Sequence, residues 1–336
     1  MKATITDVAK QAGVSMKTVS RVLNNEPNVA KATRDRVMEV AASLQYRPNL
    51  AARGLASSKS YLIALLYDNA SASYITNIQR GAIEACRRNG YHLLLEPMPY
   101  EQANSPEAEI LLGRLGVDGV ILTPPLSDSV VLRDILRRLD MRHVAVAPNK
   151  MDDVHAVRMD DAEAAFQMTT YLIEQGHRDI GFILGHPNHG ATASRRLGFE
   201  KALNEAGIKL NEDWISAGDF SFRSGVQAAE HLLSNPDNRP TAIFASNDDM
   251  AAGVMSVAGR LGISVPEALS VCGFDDTPIA QIIWPQLTTV AQPIHKMGFK
   301  AASILISRDN PDDPKICTLD FELIIRESTL GGPLLK

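Results

Sequence analysis

What the chain lacks narrows it first. It holds three cysteines in 336 residues, Cys86, Cys272 and Cys317. They are odd in number, far apart and without metal-ligand spacing, so neither a disulfide framework nor a metal site is expected; buried free thiols are. No apolar run approaches the ~18 residues of a membrane span. The first residues are polar helix formers, unlike a secretory leader. These features lead to the expectation of a cytoplasmic protein with no membrane partner. Histidines number eight, and no HExxH, GxSxG or P-loop occurs. Two carboxylate pairs, Asp248-Asp249 and Asp275-Asp276, are each adjacent in one loop, where side chains seldom face each other for acid–base work. No catalytic residue, no cofactor and no metal ligand is therefore expected.

Core material is not lacking. Hydrophobic residues make up 45% and charged residues 22% of the chain, which excludes global disorder. The length suits two or three domains. The net charge of −5 hides a division. The first 60 residues carry ten basic and four acidic side chains, a formal +6, and the remainder carries −11. A basic head on an acidic body points to a polyanion that meets the head alone.

The head reads as three short helices. Thr4-Ile5-Thr6-Asp7 is a capping signal ahead of Val8, Ala9 and Ala12. Gly13 breaks that helix, and Ser15 can cap a second with the stripe Val19, Val22 and Leu23. Asn24-Asn25 and Pro27 stop it. A third runs from about Lys31 to Gln45 on Val37, Val40, Ala41 and Leu44. A tight glycine turn between the first two makes a helix-turn-helix. The second helix turns Met16, Lys17, Thr18, Ser20 and Arg21 outward. Ser15, Met16 and Lys17 lie in its first turn, where a recognition helix touches base edges, and Arg21 can fork onto guanine or phosphate.

From Asp7 to Asn24 the chain matches D-V-A-x-x-A-G-V-S-x-x-T-V-S-R-V-L-N without a gap. This resembles the N-terminal signature of the lactose/galactose repressor (LacI/GalR) family of bacterial transcriptional regulators. The resemblance implies contacts to double-stranded, pseudo-palindromic operator DNA by a homodimer, from Thr4, Ser15, Met16, Lys17, Thr18, Ser20, Arg21 and Asn24. One departure is Ala30, where the family often caps the third helix with serine.

Residues 47–60 form the expected hinge after a head at 1–46. Leu50 to Ala56 could be helical, yet seven residues are too few for a stable isolated helix, and Gly54 weakens it. The resemblance implies that two such helices pair in the operator's minor groove. Leu55 would wedge into the central base step, with Asn49, Ala52 and Arg53 beside it.

From Tyr61 onward, short Val/Ile/Leu-rich runs such as "YLIALLY", "VDGVILTP", "RDIGFILG", "TAIFAS" and "LSVCGFDD" alternate with helix-length segments. That is the pattern of parallel sheets covered on both faces. A body at 61–336 suits two lobes, one of about 61–161 and 291–320, the other of about 162–290 and 321–330. Ligands of such sheets bind beyond the C-terminal strand ends. Polar residues stand there: Asp68 and Asn69, Asp160, Asn247 and Asp248, Asp275 and Asp276. The body is similar to the effector domain of the same family and to periplasmic sugar-binding proteins. "SRRLGFE", "SNDDMAAG" and "GFDDTP" match family motifs. The resemblance implies effector contacts from Arg195, Asn247 and Asp275, an aromatic lid at Phe220 and a wall at Tyr74, with Asp68, Asn69 and Asp160 nearby. Donors, an acceptor and an aromatic face suit a sugar or glycoside. The family's purine-binding branch carries an arginine near the position of His189, which this chain lacks. The expected function is a repressor released by a small carbohydrate. Two alternatives stand beside it: the same fold with a corepressor such as a nucleobase, and a sugar receptor without a DNA role. No leucine heptad extends "RESTLGGPLLK", so a dimer is expected.

Overall fold

A computed structural model describes residues 3–23, 27–46, 59–149, 154–307 and 316–329. Two compact units divide the chain, Met1–Tyr61 and Leu62–Lys336. Among the described residues no helix is long and apolar enough to cross a membrane.

In the first unit, helices α1 (Ile5–Ala12), α2 (Met16–Leu23) and α3 (Lys31–Ser43) enclose Val8, Ala9, Ala12, Val19, Val22, Val37 and Ala41. The start of α1 is a capping box: Asp7 N donates to Thr4 Oγ1 at 3.4 Å, and Thr4 N donates to Asp7 Oδ2 at 2.8 Å. Such a cap stabilises a helix by about 1 kcal/mol. Gly13 ends the helix at φ 63°, a left-handed conformation that costs glycine nothing. Its N–H and that of Val14 close on the last turn, which fixes the angle at which α2 departs. Ala30 supplies no side-chain cap to α3. Asn24 and the hinge residues Asn49, Ala52, Arg53 and Leu55 lie outside the described residues.

The second unit holds two six-stranded sheets. The first is built from β1 (Leu62–Tyr67), β2 (His92–Pro97), β3 (Gly119–Leu122), β4 (His143–Val146), β5 (His155–Arg158) and β11 (Ile316–Thr318), in the order β11-β5-β4-β3-β1-β2. The second draws on β6 (Ile180–Ile183), β7 (Ile215–Ser216), β8 (Ala242–Ala245), β9 (Ser270–Phe274), β10 (Thr288–Ala291) and β12 (Glu322–Ile324), in the order β12-β10-β9-β8-β6-β7. The central strands are buried along their whole length, because helices cover both faces.

Every pairing is parallel except β10 with β12. Parallel strands all end at one edge of their sheet. The chain leaves β11 at that edge and enters the second sheet three residues later, too soon for a crossover helix. It therefore runs back against its neighbours. The chain also passes between the lobes from β5 to the helix Asp161–Glu174, and from β10 to the helix Ile294–Ile306. The latter packs on the helix Ala72–Arg88 beside the first sheet; a Cβ on Gly81 would stand 1.9 Å from His295 O, so the two backbones touch. Cys86 and Cys272 are buried, whereas Cys317, on the edge strand β11, is half-buried; all three are free thiols.

Candidate functional site

The head offers one exposed face. Ser15 Oγ accepts from Thr18 N at 3.1 Å and shares a hydrogen bond with Thr18 Oγ1 at 2.9 Å, so both hydroxyls serve the first turn of α2. Met16 is 53% exposed, with its sulfur accepting from Thr6 Oγ1 at 3.4 Å. Lys17 and Arg21 are exposed, and Thr18 and Ser20 are half-buried. Thr4 is exposed but engaged in its capping box. The apolar stripe Val19 and Val22 faces the opposite way, into the bundle. This geometry can place one basic helix face against a polyanion.

The body has a cavity between its two lobes. Its walls carry Asn69, Ser71, Tyr74, Pro124 and Ala147 from the first lobe and its edge, His189, Ala191, Arg195, Phe220, Asn247 and Asp275 from the second, and Gln292 from the connecting segment. Six of the eight expected effector residues meet here. Asp68 and Asp160 do not. Asp68 Oδ2 accepts from Tyr100 N at 2.8 Å and so holds a neighbouring turn. Asp160 Oδ1 accepts from Glu163 N at 3.0 Å and caps the helix Asp161–Glu174. Each is a strand-end acid with one oxygen held by nearby backbone, and Asp160 also lines an adjoining cavity.

Arg195 is built in from several sides. It lies on the helix Gly190–Glu205, where a Cβ on Gly198 would stand 2.0 Å from Ala162 O. That backbone-to-backbone packing brings Arg195 to Asp161, with Nε donating to Oδ1 at 2.9 Å and Nη2 also at 2.9 Å. Nη1 donates to Ser246 O. The guanidinium lies 3.6 Å from the centroid of the Phe274 ring. All three nitrogens thus have protein partners, and the arginine is 4% exposed.

Asn247 is likewise occupied. Its Oδ1 accepts from Met250 N at 3.0 Å, capping the helix Asp248–Arg260, and its Nδ2 donates to Phe220 O at 2.8 Å. That second bond holds Phe220 at φ 69°, an unfavourable backbone conformation for a bulky residue. The Phe220 ring fills the space over Gly185, where a Cβ would stand 2.0 Å from Cζ. It also lies 4.9 Å, centroid to centroid, from His189. Burial, reinforced by His186 and Arg195, holds the His189 pKa down at about 3, so its imidazole is neutral.

Asp275 is the buried acceptor of the site. Its φ is 117°, and Gln292 Nε2 donates to its Oδ1 at 2.5 Å. Burial pushes its pKa up to about 7, against the pull of Arg195 and Gln292. Directly behind lies Asp248, fully buried. It accepts from Thr289 Oγ1 at 2.6 Å, Thr277 N at 2.7 Å and Thr277 Oγ1 at 3.1 Å. Burial, then Asp275, pushes its carboxyl pKa upward. These three bonds hold the loop that aims Asp275. Burial raises the Tyr74 hydroxyl pKa too.

Two contacts clasp the lobes. Ser71 Oγ donates to Asp249 Oδ2 at 2.9 Å. Asp128 Oδ2 accepts from Gly190 N at 3.0 Å, so a first-lobe carboxylate caps a second-lobe helix whose own N-cap, His189, contributes no side-chain bond. The cavity volume is about 30 Å³, room for about two waters. Ser71 and Gln292 escaped the sequence reading, because neither sits in a recognisable motif; His189 entered it only as a position near which the purine-binding branch carries an arginine. Among the described residues no group of three or more His, Cys, Asp or Glu is placed to hold a metal ion.

Comparison with known proteins locates both regions. Residues 4–49 match the model for bacterial regulatory proteins of the lacI family, and residues 169–329 match that for a periplasmic binding protein-like domain. The chain is 34% identical to catabolite control protein A of Priestia megaterium over 334 residues, 98% of this chain and 100% of that protein. It is 34% identical to the HTH-type transcriptional repressor PurR of Vibrio vulnificus, covering 97% and 98% of the two. Among solved structures it is similar to a transcriptional regulator CelR–cellobiose complex (TM-score 0.74, 30% identity, 97% of this chain and 99% of that one). It is also similar to the lac repressor dimer bound to operator and the anti-inducer ONPF (TM-score 0.79, 25% identity, 98% and 100%).

Proposed function

The chain belongs to the lacI family of bacterial regulatory proteins, and from that premise we propose that it is a repressor whose hold on operator DNA is released by a sugar or glycoside in the interlobe cleft. It is a DNA-binding transcriptional regulator with a small-molecule effector and acts as a dimer on its operator. The observation that supports a sugar is Asp275: a buried acceptor aimed by Asp248 and Gln292, in one cavity with the aromatic ring of Phe220. Hydroxyls donate to such a carboxylate while the apolar face of a sugar ring covers the aromatic. Arg195 and Asn247 act by holding Asp161 and Phe220, and touch the effector with what donor capacity remains. The relative solved with cellobiose agrees with this choice.

Release works through the cleft. The closed cavity is too small for a sugar, so an occupied cleft has a different lobe spacing. Ligand and operator then stabilise different states, and each weakens the other by one factor. In the head, Met16, Lys17 and Arg21 read bases and phosphates. In the hinge, outside the described residues, Leu55 is the wedge.

The test is fluorescence anisotropy of the full-length protein on operator DNA at fixed salt, with titrations of mono- and disaccharides and of purines. A sugar should weaken operator binding, and operator should weaken sugar binding equally. A purine that strengthens operator binding, with sugars inert, overturns the carbohydrate reading. Leu55→Ala should lower operator affinity while leaving effector affinity in place; parallel loss of both removes the hinge assignment.

A further inference from the structure

The cleft does not end beneath Phe220. At Ala147 and Ala191, which border the cavity already described, a second cavity of about 140 Å³ begins. Its polar lining is Asn149, Arg158, Asp160, Asp161 and Ser194. The carboxylates around it each have a bond within the protein, but only Asp161 has a cation as its partner. Asp161 is bonded to Arg195, Asp160 caps its helix, and Asp128 at the boundary accepts from Asn149 N at 2.6 Å and from Gly190 N. Arg158 is not matched. It ends β5, and its Nε is buried with no hydrogen-bond partner among the described residues.

A buried donor without a partner is unusual in a folded protein, and it calls for a group that arrives from outside. Arginine has five donors and no acceptor, so the arriving group must accept. Its planar fork matches a carboxylate or phosphate in a bidentate manner, a geometry that a lone hydroxyl does not fill. The first cavity offers the complementary half, an acceptor in Asp275 and an aromatic ring, suited to sugar hydroxyls.

We infer that the effector is an acidic sugar, with its ring between Phe220 and Asp275 and its oxyanion on Arg158, reached past Ala147 and Ala191. This rests on the sugar reading of the cleft and adds the charge of the ligand to it. Asn149 and Ser194 complete the oxyanion's surroundings. The shared chemistry is an oxyanion on a sugar; carboxylate and phosphate are its two sources.

Isothermal titration of the full-length protein at fixed ionic strength decides it. The panel is glucose and galactose, their uronates, their 6-phosphates, and cellobiose. At least one acidic sugar should bind about 10- to 100-fold tighter than its neutral parent, and the uronate and phosphate arms identify which oxyanion. Arg158→Gln should shrink that ratio to below about threefold, and Arg158→Lys, which keeps charge but loses the fork, should fall between. Neutral sugars or cellobiose binding as tightly as every acidic one would overturn the inference while leaving the sugar cleft intact. An acidic preference that survives Arg158→Gln in a folded variant would overturn the role of Arg158. A panel in which nothing binds would overturn the sugar reading and this inference together. Should Arg158→Gln not fold, the panel on the unaltered protein still decides the ligand's charge.

Discussion

On the face of α2, Met16 and Lys17 stand in solvent; in the cleft, Arg195 is 4% exposed and bonded through all three nitrogens. The difference follows from what each region meets. DNA brings its own charge, so a head side chain needs only a helix to stand on. Water solvates it until then, and its identity is nearly free of the fold. A small ligand must be recognised out of water, where an unpaired polar group is costly. The cleft therefore holds its polar groups in mutual bonds: Asp248 steadies the loop of Asp275, Asn247 steadies Phe220, and Asp161 steadies Arg195. Recognition and stability are separable in the head and joined in the body.

The largest test of that contrast is Arg195→Ala. It leaves Asp161 half of a broken buried pair and should cost the body about 3–5 kcal/mol in denaturant unfolding. A loss below about 1 kcal/mol would mean the cleft is not part of the fold's support. Lys17→Ala should do the reverse. Operator affinity should fall by about 1–3 kcal/mol, read by anisotropy at constant salt, while the unfolding free energy stays within about 0.5 kcal/mol of the parent. A large stability loss there would erase the contrast from the other side.

The smallest effect is a pH dependence. The pKa of Asp275 is raised to about 7, above the ordinary carboxyl range, so its burial penalises the charged form. That penalty on folding is absent below the unfolded pKa, near 4, and grows as pH rises toward 7. A hydroxyl donating to the carboxylate favours the ionised form. Sugar affinity should therefore rise by up to about tenfold between pH 6 and pH 8, the ratio of ionised fractions around that value. Asp275→Asn should flatten the profile. A flat profile in the unaltered protein would show that the effector does not need the carboxylate charged.

How much was legible depended on the range of the cause. The capping box of Thr4 and Asp7, the turn at Gly13 and the apolar stripes are local, and each reads directly from spacing. The buried strands read from their runs of Val, Ile and Leu. In the cleft, Asn69, Tyr74, Arg195, Phe220, Asn247 and Asp275 were each legible from a motif or a strand end, and they do share one cavity. Asp68 and Asp160 carry the same local signature, yet each has an oxygen held by a nearby backbone N–H, and Asp160 lines only the adjoining cavity. Ser71 and Gln292 carry no signature and line the cavity because the lobes fold around them.

The sequence by itself determined the helical head, the alternation that builds two sheets, and the residue types on the reading helix, because these depend on neighbours within a few positions. Tertiary structure alone decided which strand-end acids line the effector cavity, that Asp128 caps a helix of the opposite lobe, and that the Arg158 Nε is buried without a partner among the described residues. Those outcomes depend on residues up to 62 positions apart for Asp128 and Gly190. Only packing, with the burial and bonding it imposes, brings such groups within reach.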